Sequence, residues 1–189
     1  MRAPERLVTQ RLVLRRWRDA DVAAIAKLNA DPHVMRFFLR TYGYDETKQR
    51  IGSWSAAFEE RGYAPWAVEL TGIAPCIGFV GIALVDAEVP LAGSLEVVWR
   101  LDGPFWGQGY AVEAAQAAMR DAFERLRPEE IVAYTAAINT PSKRVMEKLG
   151  MAFDAQAGFE HPRVPDHRLR PHVVYRMARR DFLARHAAS

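Results

Sequence analysis

Trp99-Arg100-Leu101-Asp102-Gly103-Pro104-Phe105-Trp106-Gly107-Gln108-Gly109-Tyr110-Ala111 is where the fold is decided. The apolar run Leu95 to Leu101 reads as a strand, Asp102-Gly103-Pro104 breaks it, and Gly107 and Gly109 lead into a helix. On that helix Val112, Ala115, Met119, Phe123 and Leu126 share one face. Glu113, Gln116, Arg120 and Glu124 lie on others, and Pro128 ends it. Such a loop presents backbone N–H groups that have no intrahelical acceptor, with the positive end of the helix dipole behind them. A diphosphate is the natural guest, because glycine lets its oxygens approach the backbone. Two better-known phosphate loops do not fit. A Walker loop needs Gly-Lys-Ser/Thr, and here Gly109 is followed by Tyr110 and Ala111. A dinucleotide fingerprint needs a small residue where Val112 stands and belongs in the first strand–helix unit, whereas this loop lies past mid-chain.

Outward from the loop, Ile131 to Ala136 reads as the next strand. That makes a strand–loop–helix–strand unit whose strands should be parallel and joined right-handedly. Upstream, Arg11 to Trp17 is strand-like, and Asp19 is a candidate N-cap for a helix carrying Val22, Ile25 and Leu28. Asp31-Pro32 opens a short helix through Phe38. Asp45 caps a helix with Ile51, Trp54 and Phe58 on one face, ending near Gly62. Trp66 to Leu70 and Ile77 to Val85 form a hairpin across Thr71-Gly72-Ile73-Ala74-Pro75. Downstream, Ser142 to Leu149 is a short helix ended by Gly150. Phe153 to Phe159 and His172 to Met177 are a final strand pair around a Pro- and His-rich loop. The order is mixed α+β.

The 189 residues are the length of one domain, and 50% of them are hydrophobic, enough to build a core. No stretch approaches the roughly 18 to 20 apolar residues of a membrane helix. The opening MRAPERLVTQRLVLRRW lacks the apolar centre of a signal peptide. One cysteine, Cys76, excludes an internal disulfide and a multi-cysteine metal site. The expectation is a cytoplasmic protein with no membrane partner. The net charge of +3 hints at nucleic acid, but no run of five like charges supports it, so no nucleic-acid partner is expected.

A second motif follows the next strand: Asn139-Thr140-Pro141-Ser142-Lys143-Arg144-Val145-Met146-Glu147-Lys148-Leu149-Gly150-Met151. Together the two motifs resemble the GNAT superfamily of acyl-CoA-dependent N-acyltransferases. The family's glycine loop is Gln/Arg-x-x-Gly-x-Gly/Ala, which this chain matches at Gly109 and Ala111 and leaves at Trp106. Trp106-Gly107-Gln108-Gly109-Tyr110-Ala111 followed by Glu113-Ala114 is similar to the branch containing the ribosomal-protein N-terminal (alanine/serine) acetyltransferases. Asn139 to Met151 and Thr9-Gln10-Arg11-Leu12-Val13-Leu14-Arg15 resemble the same branch. The resemblance runs from about Leu7 to Met177, and implies one acetyltransferase domain over 1–189 with residues 178–189 a short basic tail. It also implies an α+β fold whose mostly antiparallel sheet is splayed between two parallel strands, with helices on both faces.

The resemblance implies a site. Main-chain groups of Val98, Trp99, Arg100 and Leu101 would contact the pantetheine of acetyl-CoA, with an N–H near Val98 or Trp99 facing the thioester carbonyl. Trp106 leads into the loop, and Gly107, Gln108, Gly109, Tyr110, Ala111 and Val112 would cradle the pyrophosphate. Asn139 would hydrogen-bond the pantetheine arm. Many members carry a Tyr seven residues after the Asn as general acid; here Met146 stands there and cannot donate a proton. Ser142 is the remaining hydroxyl, as thiolate partner, as helix N-cap, or as both. Glu96, out of phase with Leu95, Val97 and Trp99, is the candidate base, against a solvent-facing or ion-paired strand Glu. Glu113 reads as a capping or packing residue.

His161, His167 and His172 match no compact metal-ligand spacing, so no metal is expected; His172 is an alternative base. Cys76 reads as an inert core thiol. Phe37, Phe38, Tyr42 and Trp54 are candidates for the acceptor pocket or for core. The leading expectation is direct acetyl transfer to a primary amine: a protein N-terminus, an amino acid, a polyamine or a drug-like amine. The alternatives are a non-catalytic acyl-CoA-binding domain, favoured by Met146, and a nucleic-acid binder; a monomer or homodimer is expected. Residues 1–18 and 161–189 each carry a net +5, leaving −7 on residues 19–160, where both motifs lie. That acidic middle favours backbone N–H groups over a basic patch for the pyrophosphate, and a cationic amine as acceptor.

Overall fold

The computed structural model describes residues 3–186. Eight strands form one sheet: β1 (Arg6–Val8), β2 (Leu12–Arg15), β3 (Pro65–Leu70), β4 (Ala74–Leu84), β5 (Leu95–Leu101), β6 (Glu130–Ala136), β7 (Ala152–Glu160) and β8 (Pro171–Ala178). Their order is β1-β2-β3-β4-β5-β6-β8-β7. Every pair is antiparallel except β5 and β6, which the helical crossover through α3 joins in parallel. Five helices cover the sheet: α1 (Asp21–Ala30), α2 (Tyr44–Arg61), α3 (Tyr110–Asp121), α4 (Thr140–Lys148) and α5 (Arg179–His186). The α+β architecture and its single parallel pair agree with the sequence reading.

Side-chain alternation sorts the core into two faces. Val80 and Ile82 of β4, with Val97 and Leu101 of β5, pack among Ala114, Ala115, Ala118 and Met119 of α3. Phe79 of β4 points the other way, onto Val22 and Ile25 of α1, Ile51 of α2 and the Trp17–Trp54 ring pair. Gly78 (φ 146) lets β4 slip its alternation, and a Cβ there would stand 2.2 Å from the Arg100 carbonyl oxygen.

Several local expectations are corrected. α1 starts at Asp21, not after a capping Asp19. The Asp21 carboxylate receives the Arg18 N–H and both Nη groups of buried Arg15. α2 is preceded by Gly43 rather than capped by Asp45. The segment after Asp31-Pro32 forms turns, not a helix, because the Asp31 carboxylate takes the His33 N–H and closes a local turn. Ser142 is not the N-cap of α4: Asn139 is, its Oδ1 accepting from the Ser142 N–H. α3 widens into a π-turn over Ala122–Leu126 before Pro128. The segment read as a basic tail opens with α5, whose Phe182 is 1% exposed with its ring 5.0 Å from that of Phe123.

Candidate active site

The parallel ladder between β5 and β6 holds only at Glu96↔Val132, near the start of both strands. Beyond it the strands part, and backbone groups of β5 facing β6 have no ladder partner. The gap opens into a cavity of about 1020 Å³. Val98, Trp99, Arg100, Leu101, Trp106, Gly107, Gly109, Ala111, Val112, Asn139 and Ser142 line it, together with Glu96 and Met146. Gln108 and Tyr110 do not. The Gln108 side chain donates to the Pro104 carbonyl, and buried Tyr110 lies beneath the Arg11 guanidinium.

Gly107 (φ 77) and Gly109 (φ 85) both adopt the left-handed conformation, Gly109 as the residue before α3. A Cβ on Gly107 would meet nothing within 4 Å, so backbone conformation, not crowding, demands glycine there. The loop is braced from outside by residues far apart in the chain. Glu113 accepts from the Thr9 hydroxyl (2.6 Å), the Arg11 N–H (2.9 Å) and Arg11 Nε (2.7 Å). Arg11 Nη1 in turn donates to the Gln108 carbonyl (3.0 Å). Burial works against the Glu113 charge, but these donors overcome it and hold its pKa below the usual range. Trp106, the departure from the family pattern, donates its indole N–H to the Leu101 carbonyl (2.7 Å) and closes the loop on its strand. These features fit a pyrophosphate held by backbone N–H groups.

Asn139 is 8% exposed and fully engaged on its amide nitrogen, which donates to the hydroxyls of Thr135 (2.8 Å) and Ser142 (3.1 Å). Its expected contact to a pantetheine arm therefore falls to the second lone pair of Oδ1. Ser142 Oγ accepts from Asn139, which leaves its own proton free to be donated into the cavity. Met146 at the usual Tyr position is 1% exposed and fills core.

Glu96 is neither solvent-facing nor ion-paired. Among the described residues it has no hydrogen-bond or ion-pair partner, and burial, with a smaller contribution from Asp86, pushes its pKa up to about 8. Tyr134 of β6, which the sequence reading did not single out, lines the same region. Its phenol is pushed up by burial and by the Glu96 charge. His161 and His172 stand 4.8 Å apart, centroid to centroid, and both rings pack on Tyr134 and Phe159. Burial lowers both their pKa values. His167 lies apart, its ring accepting from the Leu169 N–H. Among the described residues no group of three or more His, Cys, Asp or Glu side chains is placed to hold a metal ion. Cys76 packs against the cluster of Val22, Ile25, Ile51 and Phe79, and burial pushes its pKa up to about 11, which disfavours the thiolate.

Phe37, Phe38, Tyr42 and Trp54 line the cavity on the α2 side. The acidic surroundings expected from the charge distribution are not found: the lining carries seven basic side chains and two acidic ones. One acid, Glu46, is gripped by both Nη groups of Arg40 at 2.8 Å. Arg100 lines the cavity from β5, on the same strand face as Glu96 and Val98. Its period-two spacing from Glu96 was the available signal.

Residues 11–152 match the family described as the acetyltransferase (GNAT) domain. The FsC-acetyl coenzyme A-N(2)-transacetylase of Aspergillus fumigatus is 34% identical over 137 residues, covering 66% of this chain and 55% of that protein. The chain thus spans about half the length of that relative. The crystal structure of an acetyltransferase from Agrobacterium tumefaciens superposes with a TM-score of 0.74 at 28% identity, covering 94% of this chain and 96% of that one. RimL, a ribosomal L7/L12 alpha-N-protein acetyltransferase solved with coenzyme A, superposes at 0.74 with 16% identity, over 92% and 98% of the chains; that likeness concerns the fold alone. No helix among the described residues is long and apolar enough to cross a membrane.

Proposed function

We propose, from the premise that this chain belongs to the GNAT acetyltransferase family and is an N-acetyltransferase, that it moves the acetyl group of acetyl-CoA directly onto a primary amine in a ternary complex. The observation that carries this reading is the unpartnered Glu96, raised to about pH 8, at the point where β5 and β6 part. A general base works best when its pKa lies near the operating pH, where it is both available and strong enough to take the proton. An ordinary carboxylate near 4.3 is poorly matched to an ammonium; one near 8 is well matched.

The bound thioester supplies the activated acetyl group. Glu96 takes the ammonium proton, directly or through a water, and the approaching cation favours its ionised form. Backbone groups of Val98, Trp99, Arg100 and Leu101 hold the pantetheine and orient the carbonyl towards an N–H near Val98 or Trp99. Gly107, Gly109, Ala111 and Val112 supply main-chain donors to the pyrophosphate, on a loop held rigid by Arg11 and Glu113. Ser142 donates its free hydroxyl proton as a hydrogen bond to the departing sulfur, the role that Met146 cannot fill. No step forms a bond between enzyme and acetyl group.

The test is a melting-temperature shift with acetyl-CoA, set against NAD and ATP, followed by thiol release over a panel of amines. A shift specific to CoA thioesters with amine-dependent thiol release is the expected result. Absence of any shift with acetyl-CoA would refute the reading.

A further inference from the structure

We infer that the acceptor is an aminocarboxylate, an amine carrying its own carboxylate, and that the side chain of Arg100 binds that carboxylate while Glu96 faces the amine; this rests on the acetyltransferase reading above. Arg100 lies in the cavity wall beneath Phe38, its guanidinium carbon 4.1 Å from the ring centroid, with the rings of Phe79 at 5.3 Å and Tyr42 at 5.8 Å. Its Nη1 donates to Asn29 Oδ1 at 2.6 Å, and Asn29 is itself buried and fixed by Thr47. Nε is buried with no hydrogen-bond partner. Among the described residues no carboxylate pairs with this guanidinium.

A buried guanidinium without a counter-ion is costly, and buried charges in folded proteins are normally paired. Arg15, buried to 4% exposure, follows that rule and is met by Asp21 and Glu69. Arg100 departs from it. Its neighbourhood makes the deficit worse, because exposed Arg50 repels it and Glu46, the acid on the same side, is committed to Arg40. The aromatic collar offsets part of the cost and excludes water, which leaves the site selective for a planar anion. A carboxylate fits the fork of a guanidinium in two parallel hydrogen bonds.

The second half of the ligand follows from the strand. Glu96 and Arg100 stand on one face of β5, four residues apart, which separates their Cα atoms by roughly 13 Å. Two hydrogen bonds of about 2.9 Å take up nearly half of that span. The remaining span of about 7 Å sets the ligand's amine and carboxylate several bonds apart, as for an amine on a side chain or at the far end of an ω-amino acid rather than an α-amino group, with the amine directed to Glu96 and the anion to Arg100. A polyamine would set its second cation against Arg100 and is disfavoured.

The experiment uses the full chain loaded with CoA and measures binding by calorimetry of amino acids, each matched with its carboxamide and its decarboxylated amine. Acetylation kinetics follow with the same set. The acids should bind at least tenfold more tightly than their carboxamides. Arg100→Gln should erase that preference, and Arg100→Lys should restore part of it. If the acids bind no better than the amides, or Arg100→Gln keeps the preference, the inference is overturned. It is overturned as well if acetyl-CoA binds and none of the acids does, an outcome that leaves the acetyltransferase reading standing. Failure of acetyl-CoA itself to bind overturns the underlying reading. Should Arg100→Gln fail to fold, the wild-type comparison of acid with amide still decides.

Discussion

Replacing Glu96 with Gln should stabilise the protein while removing most of its activity. The folded pKa of Glu96, about 8, lies above its unfolded value of 4.5. Between those values the folded protein keeps a proton that the unfolded chain has released, so wild-type stability falls as pH rises through that window. The slope is about 1.4 kcal/mol per pH unit, and the 3.5-unit interval amounts to roughly 5 kcal/mol, fully developed above pH 8. Gln is neutral at every pH and does not pay it. For a chain of this length, 1 kcal/mol moves Tm by roughly 2–4 °C, so Glu96→Gln should melt roughly 10–20 °C above wild type at pH 8.5 and close to it at pH 5. His161 and His172 also titrate in this range, in the opposite sense, but they are common to both proteins and cancel in the difference. Melting curves from pH 5 to 9 measure this directly. In parallel, kcat should drop by about 10²-fold or more, and the acid limb of the wild-type profile should vanish. Melting curves that stay parallel at every pH would show that Glu96 is ionised in the folded protein, and the base assignment would fall with it.

Ser142→Ala removes a donor to a developing thiolate, worth about 1.5–3 kcal/mol, so kcat should fall roughly 10- to 100-fold. Its melting temperature should fall only modestly, because the Asn139 amide loses one acceptor while the Ser142 N–H keeps its bond to Asn139; an unaltered chemical step in single-turnover kinetics would count against the role. Gly109→Ala forces a Cβ into the left-handed region at a cost of about 1–2 kcal/mol, and calorimetry should show weaker acetyl-CoA binding as the loop shifts. Equal affinity would mean that the loop backbone is not the phosphate cradle. Phe182→Ala should destabilise by about 3–5 kcal/mol in urea unfolding, since its ring is buried against Phe123. A loss below 1 kcal/mol would return α5 to the status of a tail.

The strands and the loop were legible because their signals are local. Leu95–Leu101 has an apolar run closed by Asp102-Gly103-Pro104, and its bounds match the observed β5. Gly107 and Gly109 occupy positions that few other residues tolerate. Caps were less legible, because Asp19 and Asp45 are competent on sequence yet neither caps its helix. Asp21, drawn onto Arg15, opens α1 without a side-chain cap, while the hydroxyls of Thr135 and Ser142 hold the capping Asn139 in place. The brace of the glycine loop was out of reach, since Thr9 and Glu113 stand 104 residues apart and meet only once β2 and α3 have packed. Met146 was read as a missing acid. The structure shows the reason it is Met, a side chain buried to 1% exposure where a phenol would need a partner.

The charge pattern shows how a correct count misleads when it is read along the chain. The basic ends and the acidic middle are not separate regions of the folded molecule. Arg11, Arg15, Arg16 and Arg18 reach Glu113, Asp21, Glu59 and Glu69, and Arg163, Arg170 and Arg176 reach Asp86, Glu88, Glu160, Glu130 and Asp154. Terminal arginines thus consume acids of the middle segment pair by pair, mostly at the rim of the sheet, where such pairs neutralise charge more than they stabilise. What survives near the cavity is set by the residues left over: among the described residues, Arg100 without a carboxylate partner and Glu96 without a cationic one at the opening of β5 and β6. A segment with net charge −7 therefore encloses a mostly cationic pocket holding one isolated acid. Such a pocket repels a ligand that is cationic throughout and accepts one whose positive and negative groups are separated in the order the strand presents them.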